Sequence, residues 1–359
     1  MSQPRSRLAA LAALLALVAL LPPAAAAAPT AWSVDGTVTS MARVGGTLYI
    51  GGQFSRLGAT TGPAVLVARA DGLPTGRSPR VEGTAGRFIT SAIADGAGGA
   101  YVAGDFLSVD GVGRVDVAHV LADGSLDPAF AVATDASAVV YGLALAGDDL
   151  YLGGTFTSVN GTARSRIARV DATTGALAAW NPGADDVVRA FLVEGGTVFV
   201  GGQFGTIGGQ ARSRVAELST TTGAPTAFDP DVTNAALASS VLAIERNGAS
   251  LVLGGSFGAV GGEPRKHLAS VSATSGAVTS WDPQPNSIIR DVLVAGGVVY
   301  AAGNFEAVGT LPTTRKRLAA WDATTGAVTS WNPAADGGSA HALALDGGEL
   351  LVGGEFSTM

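Results

Sequence analysis

The chain of 359 residues carries seven copies of a short motif, in which a Gly-rich doublet is followed by one polar residue and a phenylalanine. The copies lie at residues 51–54, 103–106, 153–156, 201–204, 254–257, 302–305 and 353–356. Successive copies are 52, 50, 48, 53, 48 and 51 residues apart. A fixed period near 50 is typical of repeat proteins, in which each unit buries its apolar face by stacking on its neighbours. The sequence therefore predicts a repeat architecture.

Each repeat contains four short apolar runs separated by turn signals. In the fourth repeat, residues 187–193 and 198–204 are two runs joined by a Gly-rich turn, which is the pattern of a β-hairpin. A third run covers residues 212–219, and a turn leads to a fourth around residues 228–230. We name these strands a, b, c and d. Four short antiparallel strands per repeat, without helical periodicity, predict an all-β fold: a β-propeller of about seven four-stranded blades.

The repeated motif itself is predicted to be blade core. Side chains alternate along a strand, so Gly51 and Gln53 face one way while Gly52 and Phe54 face the other. We expect the phenylalanines to wedge between neighbouring blades and the glycines to let those blades approach closely. The variable polar residue is the part of the motif left open to function.

Three other elements recur in register with the motif: an Arg-x-x-Leu/Ile-Ala pattern in strand c, a c–d hairpin such as residues 171–175, and an aromatic-x-Pro pattern in strand d. The combination, over residues 32–359, resembles the delta-60 repeat propellers of bacterial secreted and surface proteins. This resemblance implies a β-propeller of unassigned biochemical role. The kelch repeat is the second choice, because the tyrosine that it places between the Gly-Gly pair and the later tryptophan is missing here.

The start of the chain departs from the repeats. Arg5 and Arg7 precede an apolar stretch, two prolines and an alanine tract, which predicts a secretory signal peptide over residues 1–28. An uncleaved membrane anchor is the alternative. We expect cleavage, a secreted or cell-surface location, no membrane span afterwards, and a propeller over residues 29–359.

The last repeat is expected to be incomplete. Strands a and b occur seven times but strand c only six times, and a strand d around Trp32 would join the seventh blade. Without a seventh strand c, that strand d would lie parallel to strand b and could not form the usual ladder. We therefore expect a sequence truncated at its C-terminus, and a monomeric domain of a larger chain.

Composition excludes several function classes. Without the signal peptide, 20 basic side chains face 29 acidic ones, a net charge of −9, which argues against a nucleic-acid partner. The absence of cysteine excludes disulfides, a thiolate nucleophile and a cysteine-based zinc site.

No catalytic constellation is predicted. Ser256 matches the G-x-S-x-G pattern, but it stands at the variable motif position and no helix follows. His119, His267 and His341 fall in different repeats and in different strands, so we do not expect them to converge. We predict no catalytic residue, no metal site and no cofactor.

The candidate binding residues are basic side chains where strand c begins. They are Arg164, Arg166, Arg212, Arg214, Arg265, Lys266, Arg315 and Arg317. The topology places the b–c turns on the same face as the d–a connections, which carry Asp185, Asp186, Asp231 and Asp336. One interpretation is a rim that receives a carboxylate, a sulfate or an acidic sugar. The alternative is that each arginine pairs with an acid of its own or the next blade.

Two functions follow. The first is an exported, non-enzymatic propeller that acts as a binding or structural module, with a polysaccharide or a surface protein as partner. The alternative is an extracellular carbohydrate-active hydrolase or lyase, which would need two carboxylates or a Tyr/His pair converging near the axis. The fold alone cannot decide between them.

Overall fold

The computed structural model describes residues 34–57, 59–60, 64–68, 79–82, 88–233, 239–346 and 348–358. The chain divides into two units, Met1–Ala31 and Trp32–Met359. The predicted signal peptide lies outside the described residues, as does Trp32; of the strand expected there, only Val34 and Asp35 are described. Within the described ranges, no helix is long and apolar enough to cross a membrane.

The described residues form β-strands joined by turns. In chain order the strands are β1 (Thr37–Val44), β2 (Thr47–Gln53), β3 (Arg56–Leu57), β4 (Ala59–Thr60), β5 (Ala64–Ala68), β6 (Val81–Glu82), β7 (Phe88–Ala94), β8 (Ala100–Asp105), β9 (Ser108–Val109), β10 (Val112–Gly113), β11 (Val117–Val120), β12 (Val140–Ala146), β13 (Asp149–Gly154), β14 (Ser158–Val159), β15 (Thr162–Ala163), β16 (Ile167–Asp171), β17 (Val188–Glu194), β18 (Thr197–Gly202), β19 (Thr206–Ile207), β20 (Gln210–Ala211), β21 (Val215–Ser219), β22 (Val232–Thr233), β23 (Ser240–Asn247), β24 (Ser250–Ser256), β25 (Ala259–Val260), β26 (Glu263–Pro264), β27 (Leu268–Ser272), β28 (Ile289–Ala295), β29 (Val298–Gly303), β30 (Ala307–Val308), β31 (Thr313–Thr314), β32 (Leu318–Asp322), β33 (Asp336–Asp346) and β34 (Glu349–Thr358).

Seven antiparallel hairpins form the frame of the molecule and correspond to the predicted strands a and b. They are β1–β2, β7–β8, β12–β13, β17–β18, β23–β24, β28–β29 and β33–β34. In the first six, a third antiparallel strand, the predicted strand c, pairs with the second. The predicted all-β architecture of short antiparallel strands is therefore confirmed.

In the second to sixth blades, the fourth strand is shorter than predicted. It is reduced to single bridges, such as Val170 with Leu177 and Leu218 with Pro225. In the fourth repeat the pairing falls at Pro225, and not around residues 228–230 as the sequence suggested. The aromatic residue after the bridge instead reaches the next blade: the Trp180 indole N–H donates to the carbonyl oxygen of Ser219, at 2.9 Å.

The hairpins follow one another round a closed ring. Strand a of each hairpin contacts strand a of the next, from β1 through β28, and β33 contacts β1. Strand a is therefore the innermost strand, and strands b, c and d lie progressively farther from the axis. This order is that of a β-propeller.

The roles predicted for the phenylalanine and for the first glycine of the doublet are confirmed, and the second glycine has a different one. Phe106, Phe156, Phe204, Phe257 and Phe305 are fully buried. A Cβ added at Gly153 would lie 2.7 Å from the ring of Phe191 in the next hairpin, so the first glycine of the doublet admits the neighbouring blade. A Cβ at Gly202, the second glycine of another copy, would press on the carbonyl oxygen of Val187 in its own strand a.

The connection between strands b and c contains a small two-stranded ribbon that the sequence did not reveal. The ribbons are β3–β4, β9–β10, β14–β15, β19–β20, β25–β26 and β30–β31. Several bridge to the d–a connection of the preceding blade, as Thr134 does with Val159 and Ala184 with Ile207. The ribbons and the d–a connections therefore share one face of the ring, as predicted, and we name it the loop face.

The seventh hairpin differs from the other six. Within the described residues, β34 pairs only with β33. Accordingly Phe356 is only partly buried, whereas the phenylalanines at the same position in the second to sixth hairpins are fully buried.

Candidate functional site

Four of the predicted binding residues hold their own blade together. Each donates from Nη1 to the carbonyl oxygen of the preceding residue and from Nη2, at 2.6–2.8 Å, to a carbonyl oxygen near strand d. These residues are Arg164, Arg212, Arg265 and Arg315. We call them the blade arginines. Arg212 and Arg265 keep only 13% of their side-chain surface exposed.

Three further predicted residues connect neighbouring elements at the entry to strand c. Arg166, Arg214 and Arg317 have left-handed backbone, with φ of 67°, 69° and 65°. Arg214 donates from Nε to Ser239 Oγ at 2.7 Å, and Arg317 donates from Nε to the carbonyl oxygen of Gly338 at 3.1 Å. Arg166 donates to the carbonyl oxygen of Thr155. These guanidinium groups link strand c to loop-face backbone.

Lys266 is exposed on the surface. The residue in the left-handed conformation in its repeat is the neighbouring His267, with φ of 63°. His267 is therefore the residue that corresponds to Arg214 and Arg317, a correspondence that charge alone did not show. The binding role of the eight predicted residues stays a prediction.

The acids of the d–a connections bind backbone amides more than arginines. Asp185 accepts the N–H groups of Gly205 and Thr206, at 2.9 and 3.0 Å. Burial opposes ionisation of Asp185, but these amide hydrogen bonds hold its pKa below the usual range. Of the four acids expected to pair with arginines, Asp336 pairs instead with Lys316, at 2.6 Å. Arginines at the start of strand c pair mainly with acids other than these four, as Arg212 does with Asp229 at 3.8 Å.

A β-bulge near the start of every innermost strand places one unpaired residue beside the axis. The register with strand b shifts there in all seven hairpins. A bulge leaves its extra residue out of the ladder and re-aims its side chain. The seven residues, which we call the axial ring, are Thr39, Thr90, Tyr141, Arg189, Leu242, Arg290 and His341.

The members of the axial ring are not alike. Thr39 and Thr90 each donate a hydroxyl hydrogen bond to a carbonyl oxygen of the next hairpin, Ile89 and Val140 respectively. The remaining polar members are large, and they gather with Glu355, the polar residue of the seventh motif. We call Tyr141, Arg189, Arg290, His341 and Glu355 the axial cluster.

Each large polar member of the axial cluster has a contact that orients it. The guanidinium of Arg189 lies 3.9 Å from the centroid of the Tyr141 ring, a cation–π geometry. Arg290 donates from Nε to Asn304 Oδ1 at 2.7 Å, which fixes its orientation. His341 Nε2 is 3.5 Å from Glu355 Oε1. These contacts join Arg189 to the preceding hairpin, and they hold Arg290 and His341 against the strand b of their own hairpins.

Burial and neighbouring charges shift the pKa values of two members of the axial cluster. Burial lowers the pKa of Arg290; Glu355 opposes this shift, and the positive charge of Arg189 adds to it. Burial, and then the charge of Arg290, lower the pKa of His341, while Glu355 opposes the shift. His341 is therefore neutral at pH 7, and the cluster carries two positive charges against one negative.

Sequence reasoning left Glu355 open to function, as a variable residue of the motif, but it missed the cluster members in the innermost strands, although a signal was present. In six of the seven hairpins the axial residue stands 15 positions before the motif phenylalanine. Aligned at that spacing, the position reads Thr39, Tyr141, Arg189, Leu242, Arg290 and His341 inside otherwise apolar strands. A charged residue that interrupts an inner strand in some repeats only is not required by the common blade structure. Such a residue is therefore a candidate for a functional role.

Two carboxyl groups also occupy innermost strands. Burial raises the pKa of Glu245 to about 7 and that of Asp291 to about 6, and the negative charge of Asp291 further raises the pKa of Glu245. Asp291 Oδ2 accepts the N–H of Leu343 in the next hairpin at 2.7 Å, just as Ser40 Oγ accepts the N–H of Ala92. The Asp291 carboxyl thus links neighbouring blades through a hydrogen bond. The nearby Glu245 carboxyl accepts its hydrogen bond from the N–H of Arg246 in its own strand.

The three histidines occupy separate places, as predicted. His119 is buried in the second blade between Asp127 Oδ2 at 2.8 Å and Asp95 Oδ2 at 3.1 Å, and it stacks on Tyr101. His267 lies at the entry to strand c, and only His341 belongs to the axial cluster. Across the described ranges, no group of three His, Cys, Asp or Glu residues could hold a metal ion.

Comparison with known proteins supports the fold. Over 90% of its length the chain resembles the computationally designed Ika8 protein, with 14% identity, a TM-score of 0.56 and 96% of that chain covered. It resembles the WD40 beta propeller domain of Doa1 over the same share, with 12% identity, a TM-score of 0.55 and 94% of that domain covered. The chain is a β-propeller repeat protein.

The repeats can be placed more closely. Residues 101–130 and 149–177 match the family model described as a "Domain of unknown function (DUF5122) beta-propeller". A β-propeller repeat family is therefore supported, and the delta-60 resemblance is compatible with it while remaining a prediction. No curated protein matches the chain.

Proposed function

We propose that this propeller is an exported, non-enzymatic binding module, which receives its ligand at the axial cluster on the loop face. One observation carries the proposal. Arg189 has no hydrogen-bond or ion-pair partner within the described part of the chain, whereas the blade arginines are bound to backbone carbonyls. The Nη atoms of the blade arginines thus serve the fold as hydrogen-bond donors, and Arg189 has no such role within the described residues.

The surroundings suit ligand binding. Arg189 is oriented by Tyr141 and Arg290 by Asn304, so neither cation needs to be ordered when a ligand arrives. Preorganised polar groups at a concave site raise affinity because less conformational entropy is lost on binding. The signal peptide predicted over residues 1–28 supports export, and a polysaccharide or a surface protein remains the expected partner.

The test is a glycan and polysaccharide array probed with the full chain, followed by incubation of each hit to look for cleavage. We expect binding without turnover, lost in Arg189→Gln and Arg290→Gln. Arg246→Gln is the matched control, because Arg246 ends an inner strand at the opposite end from the bulge and pairs there with Glu194. Hits that bind equally well to all three variants would contradict the proposal.

A second candidate function rests on the carboxyl pair. A hydrolase needs a carboxylic acid that is protonated near neutral pH beside a second carboxylate, and burial gives Glu245 a pKa of about 7 next to Asp291. Cleavage of an array hit, abolished by Glu245→Gln with binding retained, would favour this carbohydrate-active alternative.

A further inference from the structure

In the sixth and seventh hairpins, the axial residue contacts the polar residue of the motif in its own hairpin. Arg290 donates from Nε to Asn304 Oδ1 at 2.7 Å. His341 Nε2 lies 3.5 Å from Glu355 Oε1. The two members of each pair are 14 positions apart in the sequence. At this spacing, the hairpin therefore holds two polar side chains within reach of each other.

The fourth hairpin has the same backbone arrangement at Arg189 and Gln203, which are also 14 positions apart. The register shifts at Arg189 as it does at Arg290. The N–H of Gln203 donates across the hairpin to the carbonyl oxygen of Val187 at 2.8 Å, and the equivalent bond in the sixth hairpin measures 2.9 Å. The backbone thus places Gln203 next to Arg189, just as it places the partner of Arg290.

Arg189 and Gln203 nevertheless do not bind each other. The Arg189 guanidinium lies over the ring of Tyr141, in the third hairpin, and forms no hydrogen bond within the described part of the chain. Among the described residues, the Gln203 carboxamide likewise has no partner. Arg189 Nε is buried, whereas its Nη atoms and the Gln203 carboxamide reach solvent. A guanidinium edge and a carboxamide are therefore open to a ligand at one corner of the hairpin.

Resting on the proposed function, we infer that the ligand is a polysaccharide that contains uronic acids. Its carboxylate binds end-on to the Nη atoms of Arg189, and a neighbouring sugar hydroxyl binds the Gln203 carboxamide. Two Nη–H groups form a fork that matches the two oxygens of a carboxylate. The Tyr141 ring occupies one side of the guanidinium. An oxygen that leaves the guanidinium plane, as in a bound sulfate, would meet the electron-rich face of that ring.

Gln203 favours a sugar over an acidic peptide as the source of the carboxylate. A carboxamide offers both hydrogen-bond donors and an acceptor, and a hydroxyl group can use either kind. A uronic acid carries hydroxyl groups close to its carboxylate, whereas an aspartate or glutamate side chain carries none. The pairing of an open carboxamide with an open guanidinium therefore fits an acidic sugar.

Calorimetry with the full chain tests the charge requirement. It measures the binding of trigalacturonate and of its methyl ester, which keeps the hydroxyl groups but has no charge. We expect the acid to bind at least tenfold more tightly than the ester. Arg189→Gln should weaken binding of the acid at least tenfold, and Arg189→Lys by nearly as much, because an ammonium group lacks the fork.

Variants of Gln203 test its separate role. Gln203→Ala should weaken binding of the acid about fivefold, through the loss of a hydrogen bond. Gln203→Glu should abolish the preference for the acid over the ester, because it places a negative charge beside the bound carboxylate. Gln53→Ala is the matched control: Gln53 is the same residue at the same motif position in the first hairpin, where the axial residue is Thr39. This control should bind the acid unchanged, and thermal unfolding checks that every variant is folded.

The outcomes separate the inference from the proposed function. If neutral glycans bind through Arg189, or the ester binds as tightly as the acid, the binding module stands and the uronic acid inference is overturned. Tighter binding of sulfated trigalactose or of triglutamate than of trigalacturonate also overturns it. Equal affinities for Gln203→Ala and Gln53→Ala overturn the role of Gln203. If no array member and no acid binds in any form of the protein, both fail together.

Discussion

Buried charges occur in two regions of this propeller, the blades and the axis, and the two regions differ in the hydrogen-bond partners that these charges have. In the blades, buried charged side chains have hydrogen-bond partners: Arg265 donates to two carbonyl oxygens, and His119 lies between two aspartates. At the axis, Arg189 has a ring face but no hydrogen-bond partner in the described residues. Burying a charge is costly unless it is paired and hydrogen-bonded. The blade charges therefore belong to stability, and the axial charges are retained for another reason.

Recurring basic residues in this sequence are poor indicators of a binding site. Arginines that begin strand c look like a basic rim in the sequence, because they recur and cluster. Recurrence is what a structural role predicts, since every blade must be built in the same way. The arginines that break the repeat, Arg189 and Arg290, are the ones left facing the axis.

Replacing His119 should give the largest loss of stability. Burial opposes ionisation of Asp95 and Asp127, yet hydrogen bonds from backbone amides and from His119 hold both pKa values below the usual range. His119→Asn would leave two buried carboxylates poorly compensated, so we expect the free energy of unfolding to fall by about 3 kcal/mol at pH 7. Denaturant unfolding measures this change.

The same variant should respond to pH in a defined direction. Because the folded pKa values of Asp95 and Asp127 are lowered, their contribution is present above the unfolded aspartate pKa and is lost as pH falls through the folded values. The difference between the protein and His119→Asn should therefore shrink in acid. The control is His267→Asn, at a left-handed position that asparagine tolerates; a loss there as large as at His119 would contradict this account.

Replacing a blade arginine should have the next largest effect. Arg265→Ala removes two hydrogen bonds from a charged donor, and we expect unfolding to become easier by about 2 kcal/mol. Arg265→Lys should recover little, because an ammonium group lacks the fork that reaches both carbonyls. Lys266→Ala, on an exposed neighbour, should change stability by less than about 0.5 kcal/mol. Equal losses at both positions would show that Arg265 is not structural.

Replacing an axial arginine should barely change stability. Arg189→Gln gives up a cation–π contact but relieves repulsion with Arg290, so we expect a change within about 0.5 kcal/mol. Denaturant unfolding beside Arg265→Ala makes the comparison direct. A loss as large as that of Arg265→Ala would remove the distinction between the two regions.

The smallest expected effect concerns the pH dependence of stability at His341. Its pKa is lowered by burial and by Arg290, and Glu355 partly offsets the shift. Below the usual histidine pKa the unfolded chain therefore binds a proton that the folded chain does not, and stability falls as pH decreases. His341→Gln should flatten this slope, whereas Glu355→Gln should steepen it. Parallel slopes for all three proteins, measured by urea unfolding, would be inconsistent with His341 facing Arg290.

The blades could be predicted from sequence because their determinants are local and repeated. Gly153 admits the neighbouring blade, and Phe204 fills the space between blades, so both roles follow from alternation along a strand. Strand d was misplaced in the fourth repeat because Phe228 and Pro230 look like the end of a strand. Phe228 is instead a buried side chain beyond the bridge at Pro225.

The axial cluster could not be predicted in the same way. Arg189 sits in an apolar run that alternation assigns to a strand, and no local pattern announces a bulge at that point. The convergence of Tyr141, Arg290 and His341 depends on closing the ring, which brings together residues 200 positions apart. Convergence across a ring is a property of the tertiary structure, and only comparison of equivalent positions between repeats hints at it.

The bulge that begins each innermost strand also bears on how such proteins diversify. In each blade the bulged residue takes no part in the pairing of strands a and b. This residue can therefore be replaced without disturbing the glycine doublet, the motif phenylalanine or the blade arginine. Seven such variable positions lie around one axis, while the rest of each repeat stays the same. Different combinations of side chains at these positions would give different binding sites. A new specificity can arise by single substitutions at the bulges, and duplication of a blade would supply one more variable place.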